Sequence, residues 1–429
     1  MAPIQTEASL LAAPTKTASR HGAKPPTGYN HKRIVAGLNV GARFKAHYEG
    51  VHEGAEPYHY PLPLPVPEDL RPSDPRGAAL TLADLECVRA LGKGGNGEVL
   101  LVRTRRHAAS TDAKLFALKA LRKKGLRQRE NSGDTGDNSR ERATLADMPW
   151  SPFVAGLLQT FHDKRNIYML LEYSPCGSLT DLIYLYAPLS PQQLSFYFAN
   201  IVCGLEHLER CGVVSRDLKP GNILLGADGY LVLCDFGTAL PVPGGRDFVD
   251  TERWLGEGTP AYQAPEAFSP EGQPADVRYG AAIDWWSAGV VLYEMAVGRL
   301  PFRAKDQAQC ARAEGDALPD PFASVPSIET WKAIMAGPVR WPRNNNIARA
   351  GRKLKDLVAR LLTVNANDRL GARGGVREVM LHPWFATIEW HKMRQKRYLP
   401  PKLGLPASEL ACGQKAVKQK HFPGLHFAH

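Results

Sequence analysis

Arg216, Asp217, Lys219 and Asn222 crowd into the stretch VVSRDLKPGNILL, Val213 to Leu225. A strand that only packs has no use for two cations, a carboxylate and an amide in one short turn, because buried charge must be paired or hydrogen-bonded. The grouping predicts a charged partner held beside an apolar run. A second group is Gly92, Gly94 and Gly97 in CVRALGKGGNGEVLLVR, spaced G-x-G-x-x-G-x-V up to Val99. The β-prone run from Val99 to Val102 argues for a second strand rather than the helix that a dinucleotide fold opens after its third glycine. The segment reads as a glycine hairpin. Such a hairpin can lay backbone N–H groups over phosphates, since glycine allows close approach. On these residues alone a plain tight hairpin fits as well.

The elements that must position these groups come from a chain of 429 residues, 44% hydrophobic and 23% charged. That is enough for a full core and for two or three structural units. The most hydrophobic segment, Ala281 to Val297, carries Asp284 and Glu294, so no membrane span is expected. The seven cysteines include no C-x-x-C pair. This argues against a disulfide framework or zinc site and for reduced thiols in a cytoplasmic or nuclear compartment. The net charge of +11 is spread along the chain, without a basic, aromatic-interleaved block for nucleic acid. Residues 1–80 are basic and turn-rich, with the proline-rich YPLPLPVPEDLRPSDP, and read as a disordered extension. Order is expected from Leu82.

Further residues fall into an ordered series. FALK carries Lys119, RERATL carries Glu141, CDFG carries Asp235, GTPAYQAPE runs from Gly258 to Glu266, and IDWWSAGVVLYEM carries Asp284. With SRDLKPGN and the glycine hairpin, this series resembles the eukaryotic protein kinases over about Leu82 to Phe385. The resemblance implies an α+β bilobal fold with an antiparallel β lobe bearing one key helix (81–173), a mainly helical lobe (174–385) and a C-terminal tail (386–429). ATP lies between the lobes with Mg2+. Gly92, Gly94, Gly97, Val99, Ala117, Lys119, Glu141, Leu171, Glu172, Ser174 and Leu224 are the implied nucleotide contacts. Leu171 is the gatekeeper, and Glu172 to Ser174 form a hinge whose backbone reads adenine. Glu141 pairs with Lys119; Glu130 is its rival, set aside because ENSGDTGDNSR looks like a flexible insertion. Asp217 and Lys219 are the implied catalytic groups beside Lys119, and Asn222 and Asp235 hold the metal. Phosphoryl transfer needs positioning and charge neutralisation above covalent chemistry, which is what this set of charges supplies. Asp284 braces the catalytic loop, Glu266 pairs with Arg369, and Cys234 lies at the back of the nucleotide site.

Lys219, two residues after Asp217, is similar to the serine/threonine kinases. TWKAIMAGPVRWP, RLGARGG and HPWFATIEWHKMRQKRYLPPKL resemble the AGC group, the relatives of the cyclic-nucleotide-dependent kinases. Several positions depart from that group. Ser215 replaces a bulky ring before Arg216, and HFPGLHFAH is at best a degenerate hydrophobic motif. Ser178 and Gly221 stand where arginine-selecting members often carry glutamates, while Glu294 remains. Leu255 occupies the position of the activating phosphothreonine. The expectation is activity independent of phosphate there, with Trp254 and Leu255 packed beneath the loop and Thr251 the nearest other acceptor. Residues 303–327 resemble an enlarged loop. The implied function is transfer of the ATP γ-phosphoryl group to serine or threonine of protein substrates, by an expected monomer whose N-terminal extension is a site for a partner. A pseudokinase scaffold is the alternative, set against the presence of Lys119, Asp217, Asn222 and Asp235; a small-molecule kinase suits the activation segment less well.

Overall fold

The computed structural model describes residues 80–93, 97–105, 115–123, 137–242, 258–267, 280–302, 328–342, 351–401 and 426–427. Gly94, Glu130, Thr251, Trp254, Leu255, the 303–327 segment and all but the last residue of the expected N-terminal extension lie outside the described residues.

Five strands come first in the chain. β1 (Leu85–Lys93), β2 (Gly97–Thr104), β3 (Leu115–Arg122), β4 (Leu157–His162) and β5 (Asn166–Glu172) pair antiparallel in the order β1-β2-β3-β5-β4. Helix α1 (Asp137–Asp147) lies between β3 and β4 in sequence. The period of two is plain in β3. Phe116, Leu118 and Ala120 are buried, whereas Ala117 and Lys119 on the other face are half-buried. The buried face joins Leu85, Leu100, Val102, Tyr168 and Leu170 in one apolar cluster. On the opposite face the register sets Val99 beside Lys119 and Leu171 beside Ala117.

The rest is mainly helical: α2 (Leu179–Tyr186), α3 (Pro191–Arg210), α4 (Ala282–Val297), α5 (Ile328–Met335), α6 (Gly351–Leu361), α7 (Gly375–Met380) and α8 (Trp390–Arg394). α3 starts at Ser190, whose hydroxyl accepts from the Gln193 N–H while the Gln193 amide oxygen accepts from the Ser190 N–H, with proline at the first helical position. Twelve of its residues are buried, from Leu194 to Leu208, so α3 is a core helix. α4 is apolar nearly all round and is accordingly enclosed. It stops at Gly298, whose φ of 77° is the left-handed cap that glycine accepts without strain.

Two small antiparallel pairs set the site. β6 (Val213–Val214) pairs with β9 (Leu240–Pro241), and β7 (Ile223–Leu225) pairs with β8 (Leu231–Leu233). The residues 215–222 bridge β6 to β7, and 234–239 bridge β8 to β9, so the two charged turns emerge side by side. After α8 the chain remains docked: Tyr398 N–H donates to the Tyr230 hydroxyl at 2.9 Å, and Lys396 meets Asp228 at 2.7 Å. A last strand, β10 (His426–Phe427), lies parallel on the outer edge of β1, making a sixth strand that the sequence reading did not foresee.

Candidate active site

The catalytic-loop turn is held by its backbone. Arg216 has φ 65°, a left-handed conformation that costs a non-glycine residue about 1–2 kcal/mol. The Asp284 carboxylate opposes that cost by accepting the Ser215 N–H at 2.7 Å and the Arg216 N–H at 2.9 Å, and Arg216 Nε donates to the Thr238 carbonyl. Asp284 therefore does brace the loop, from the first turn of α4. Burial pushes its carboxyl up to about 6, against the pull of those two amides and the Arg216 charge. The unfolded value is about 3.9, so the folded chain binds this proton more tightly. The resulting stabilisation is full below about pH 4 and is lost as pH rises through about 6. The stability of the wild type relative to Asp284→Asn is thus expected to fall between pH 4 and 6 in urea titrations and to stay level above pH 7. A difference independent of pH would contradict this.

With the loop fixed, its side chains converge. Asp217 Oδ2 accepts from Lys219 Nζ at 2.7 Å and from Asn222 Nδ2 at 3.0 Å, while Oδ1 accepts from the Thr259 hydroxyl at 2.7 Å. Lys219 also donates to Thr259 Oγ1 at 2.6 Å. Thr259 was not singled out by the sequence reading, although it follows Gly258 in GTP. Gly258 has φ 97°, and a Cβ there would come within 2.6 Å of the Arg216 carbonyl oxygen, so a glycine is needed to seat Thr259 against the loop.

The second turn brings Asp235 opposite. Its φ is 59°, and its carboxylate, still 47% exposed, reaches Lys119 Nζ at 2.8 Å. Lys119 also donates to both Glu141 carboxylate oxygens at 2.7 Å. Of the two acidic candidates, the structure places Glu141 at the lysine; Glu130 is outside the described residues. Burial works against the Lys119 charge, but Glu141 and Asp235 outweigh it and hold the ammonium above its usual range. Burial likewise disfavours the Asp235 charge, yet Lys119 keeps that carboxyl below its ordinary value. Burial pushes Glu141 up, with Lys119 pulling against it. Cys234 is half-buried, and burial raises its thiol well above the ordinary range. Phe236 is enclosed although Ser215 supplies no ring beside it; the Ser215 carbonyl instead accepts from the Thr238 hydroxyl at 2.9 Å.

The remaining expected nucleotide contacts differ in burial from their sequence neighbours. Val99, Ala117, Leu171 and Leu224 are left half-buried while Leu100, Leu118, Leu170, Ile223 and Leu225 are enclosed. Leu224 is bridged to Ser178, which follows the hinge. The two described glycines differ. A Cβ on Gly97 would run into the Ala120 carbonyl, a packing reason for glycine, whereas Gly92 has open space around it. Glu172, at the start of the expected hinge, is anchored by a contact the sequence did not announce: its carboxylate accepts from Trp150 Nε1 and from the Gly156 N–H, each at 3.0 Å. A side chain at Gly156 would crowd that carboxylate at 3.2 Å. Ser178 accepts from the Asp181 N–H and donates to its carboxylate, capping α2, and Glu294 accepts the Tyr262 hydroxyl at 2.7 Å.

Among the described residues no three His, Cys, Asp or Glu side chains gather into a metal-holding group. A magnesium ion carried on phosphates needs only one or two protein carboxylates, so Asp235 with the Asn222 amide suits it. Since Asn222 Nδ2 is spent on Asp217, its carbonyl oxygen is the atom suited to a hard cation.

Residues 85–385 match the family model described as protein kinase domain. A cAMP-dependent protein kinase catalytic subunit of Homo sapiens is 32% identical over 342 residues, 80% of this chain and 82% of that protein. A cAMP-dependent protein kinase catalytic subunit-like protein of Caenorhabditis elegans is 30% identical over 352 residues, covering 82% and 74%. A serine/threonine-protein kinase of Saccharomyces cerevisiae is 32% identical over 333 residues, covering 78% of this chain and 42% of that relative.

Proposed function

The chain belongs to the protein kinase family and is an ATP-dependent serine/threonine protein kinase of bilobal fold, and from that premise we propose how its residues divide the work. The observation that carries the reading is Asp217 on one turn, met by Lys219, Asn222 and Thr259, and Asp235 on the next, joined to Glu141 through Lys119. Asp217, oriented on both oxygens, receives the hydroxyl of the acceptor and its proton. Lys219 balances charge at the transferring group. Lys119, steered by Glu141, grips the nucleotide phosphates. Asp235 and Asn222 would hold Mg2+, which would supply charge neutralisation at the phosphates. Val99, Ala117, Leu171 and Leu224 offer half-buried apolar walls to adenine, the backbone of Glu172 to Ser174 its polar edge, and Gly92, Gly94 and Gly97 a backbone approach to the phosphates.

Protein substrates follow from the family. A reduced compartment, cytoplasmic or nuclear, is supported by the free thiols of Cys87, Cys176, Cys203, Cys211 and Cys234. No helix among the described residues is long and apolar enough to cross a membrane. Substrate choice is weakly basophilic in this reading, because Ser178 is committed to capping α2, Gly221 has no side chain, and Glu294 already holds Tyr262. An oriented peptide library with phosphoamino-acid analysis is expected to show phosphoserine or phosphothreonine and at most a few-fold gain from upstream arginine. Strong dependence on arginine at both the second and third upstream positions would contradict it, and phosphotyrosine would contradict the substrate class.

A further inference from the structure

The outer edge of β1 is where the far end of the chain returns. β10 runs parallel to β1 with Glu86 level with His426 and Cys87 level with Phe427. β1 is also the strand that delivers Gly92, and its ladder to β2 is broken twice, between Cys87 and Arg89 and again between Ala90 and Gly92. At the first break Val88 is 37% exposed. Bulges loosen pairing and bend a strand, so the approach to the glycine turn is the weakly paired part of this sheet. β10 pairs at the two residues before the first break, on the side that β2 does not cover. An uncovered strand edge would otherwise present a row of unpaired backbone groups.

The route by which the chain gets there bears on the strength of the contact. Up to Pro401 it is fastened to the helical part through Tyr398 on Tyr230, Lys396 on Asp228 and Arg394 on Glu206. Residues 402–425 then join that anchor to β10, and 24 residues can span up to about 80 Å when extended. The connection is long enough that it does not force β10 onto the edge. Two paired residues make few hydrogen bonds, so the contact is one that a competing extended peptide can replace.

We propose that the outer edge of β1 is a peptide-receiving edge, occupied in this chain by its own C-terminal strand, and that this occupation steadies the strand carrying the glycine turn. Recognition is by backbone pairing of an extended segment, with β10 as resident occupant. The pairing stands apart from any reading of catalysis; its effect on nucleotide rests on the assignment of the glycine turn to ATP.

The test compares the full chain with a chain ending at Lys420 and with a full-length His426→Pro, Phe427→Pro variant, by hydrogen exchange of the β1 amides and by KM for ATP. Both altered proteins are expected to exchange at Leu85–Arg89 at least tenfold faster and to show KM for ATP raised several-fold. Synthetic HFPGLHFAH at millimolar concentration should reverse both changes in the truncated protein, and the same peptide N-methylated at the His426 and Phe427 amides should not. Unchanged exchange in β1, or equal rescue by the methylated peptide, overturns the proposal. Faster exchange with unchanged KM supports the edge pairing and overturns its link to the glycine turn. Full-length protein that transfers no phosphate whatever its exchange pattern counts against the kinase site instead.

Discussion

Replacing Asp235 by alanine is expected to lower phosphoryl transfer about a thousandfold, the equivalent of about 4 kcal/mol in the barrier. The carboxylate is the most exposed part of the charged pair of turns and keeps its charge through Lys119 at 2.8 Å. On the proposed assignment its loss would remove a ligand for the metal that neutralises transition-state charge, where such electrostatic terms are worth most. Lys119 would remain bound to both Glu141 oxygens, so the sheet and α1 should stay in place. The variant should therefore unfold close to the wild-type temperature while losing rate. A fully active Asp235→Ala protein would overturn the metal assignment; an unfolded one would shift the comparison to Asp235→Asn, for which the same loss of rate is expected.

Arg369→Ala is expected to cost about 3–5 kcal/mol of stability, the range for removing one partner of a buried ion pair. Arg369 is wholly enclosed and meets Glu266 on both oxygens at 2.6 and 2.8 Å. Its guanidinium also donates to the carbonyls of Thr363 and Ala282 and lies 5.1 Å from the centre of the Trp286 ring. Truncation would leave the Glu266 carboxylate buried without this partner, together with carbonyls that lose their donor. Glu266→Gln combined with Arg369→Met should recover part of the loss, because it removes the stranded charge and keeps the volume. Urea midpoints read the effect. A change below about 1 kcal/mol for Arg369→Ala would show that the pair ties the Gly258–Glu266 segment to the helices only weakly.

The charged residues were the legible part of this protein. Asp217, Lys219 and Asn222 are of types that have no business in an apolar run unless they face charge, whereas Lys119, Glu141 and Asp235 were indicated by the resemblance to the protein kinases; the structure gathers the six within hydrogen-bonding distance of one another in two groups. The Glu266–Arg369 pair and the bracing by Asp284 were legible only through the resemblance to the protein kinases, and the structure forms both contacts. Less visible were contacts made by residues of ordinary type at long range. Thr259 reaches Asp217 across 42 residues of sequence, and its hydroxyl is one among many. Trp150, Gly156 and Glu172 are joined only once β4 and β5 are paired, and a glycine that makes room for a carboxylate looks in sequence like any turn glycine. β10 is two residues long, too short for any periodicity, and finds its partner at the opposite end of the chain. The Leu255 and Thr251 positions, on which the expectation of phosphate-independent activity rests, lie outside the described residues.

The most direct test is single-turnover transfer from γ-labelled ATP with magnesium to a generic protein substrate, comparing wild type with Asp217→Asn. The wild type is expected to label serine or threonine, and Asp217→Asn to bind nucleotide with near-native affinity while transferring orders of magnitude more slowly. Nucleotide binding by the wild type without transfer to any protein, or undiminished transfer by Asp217→Asn, would contradict the account.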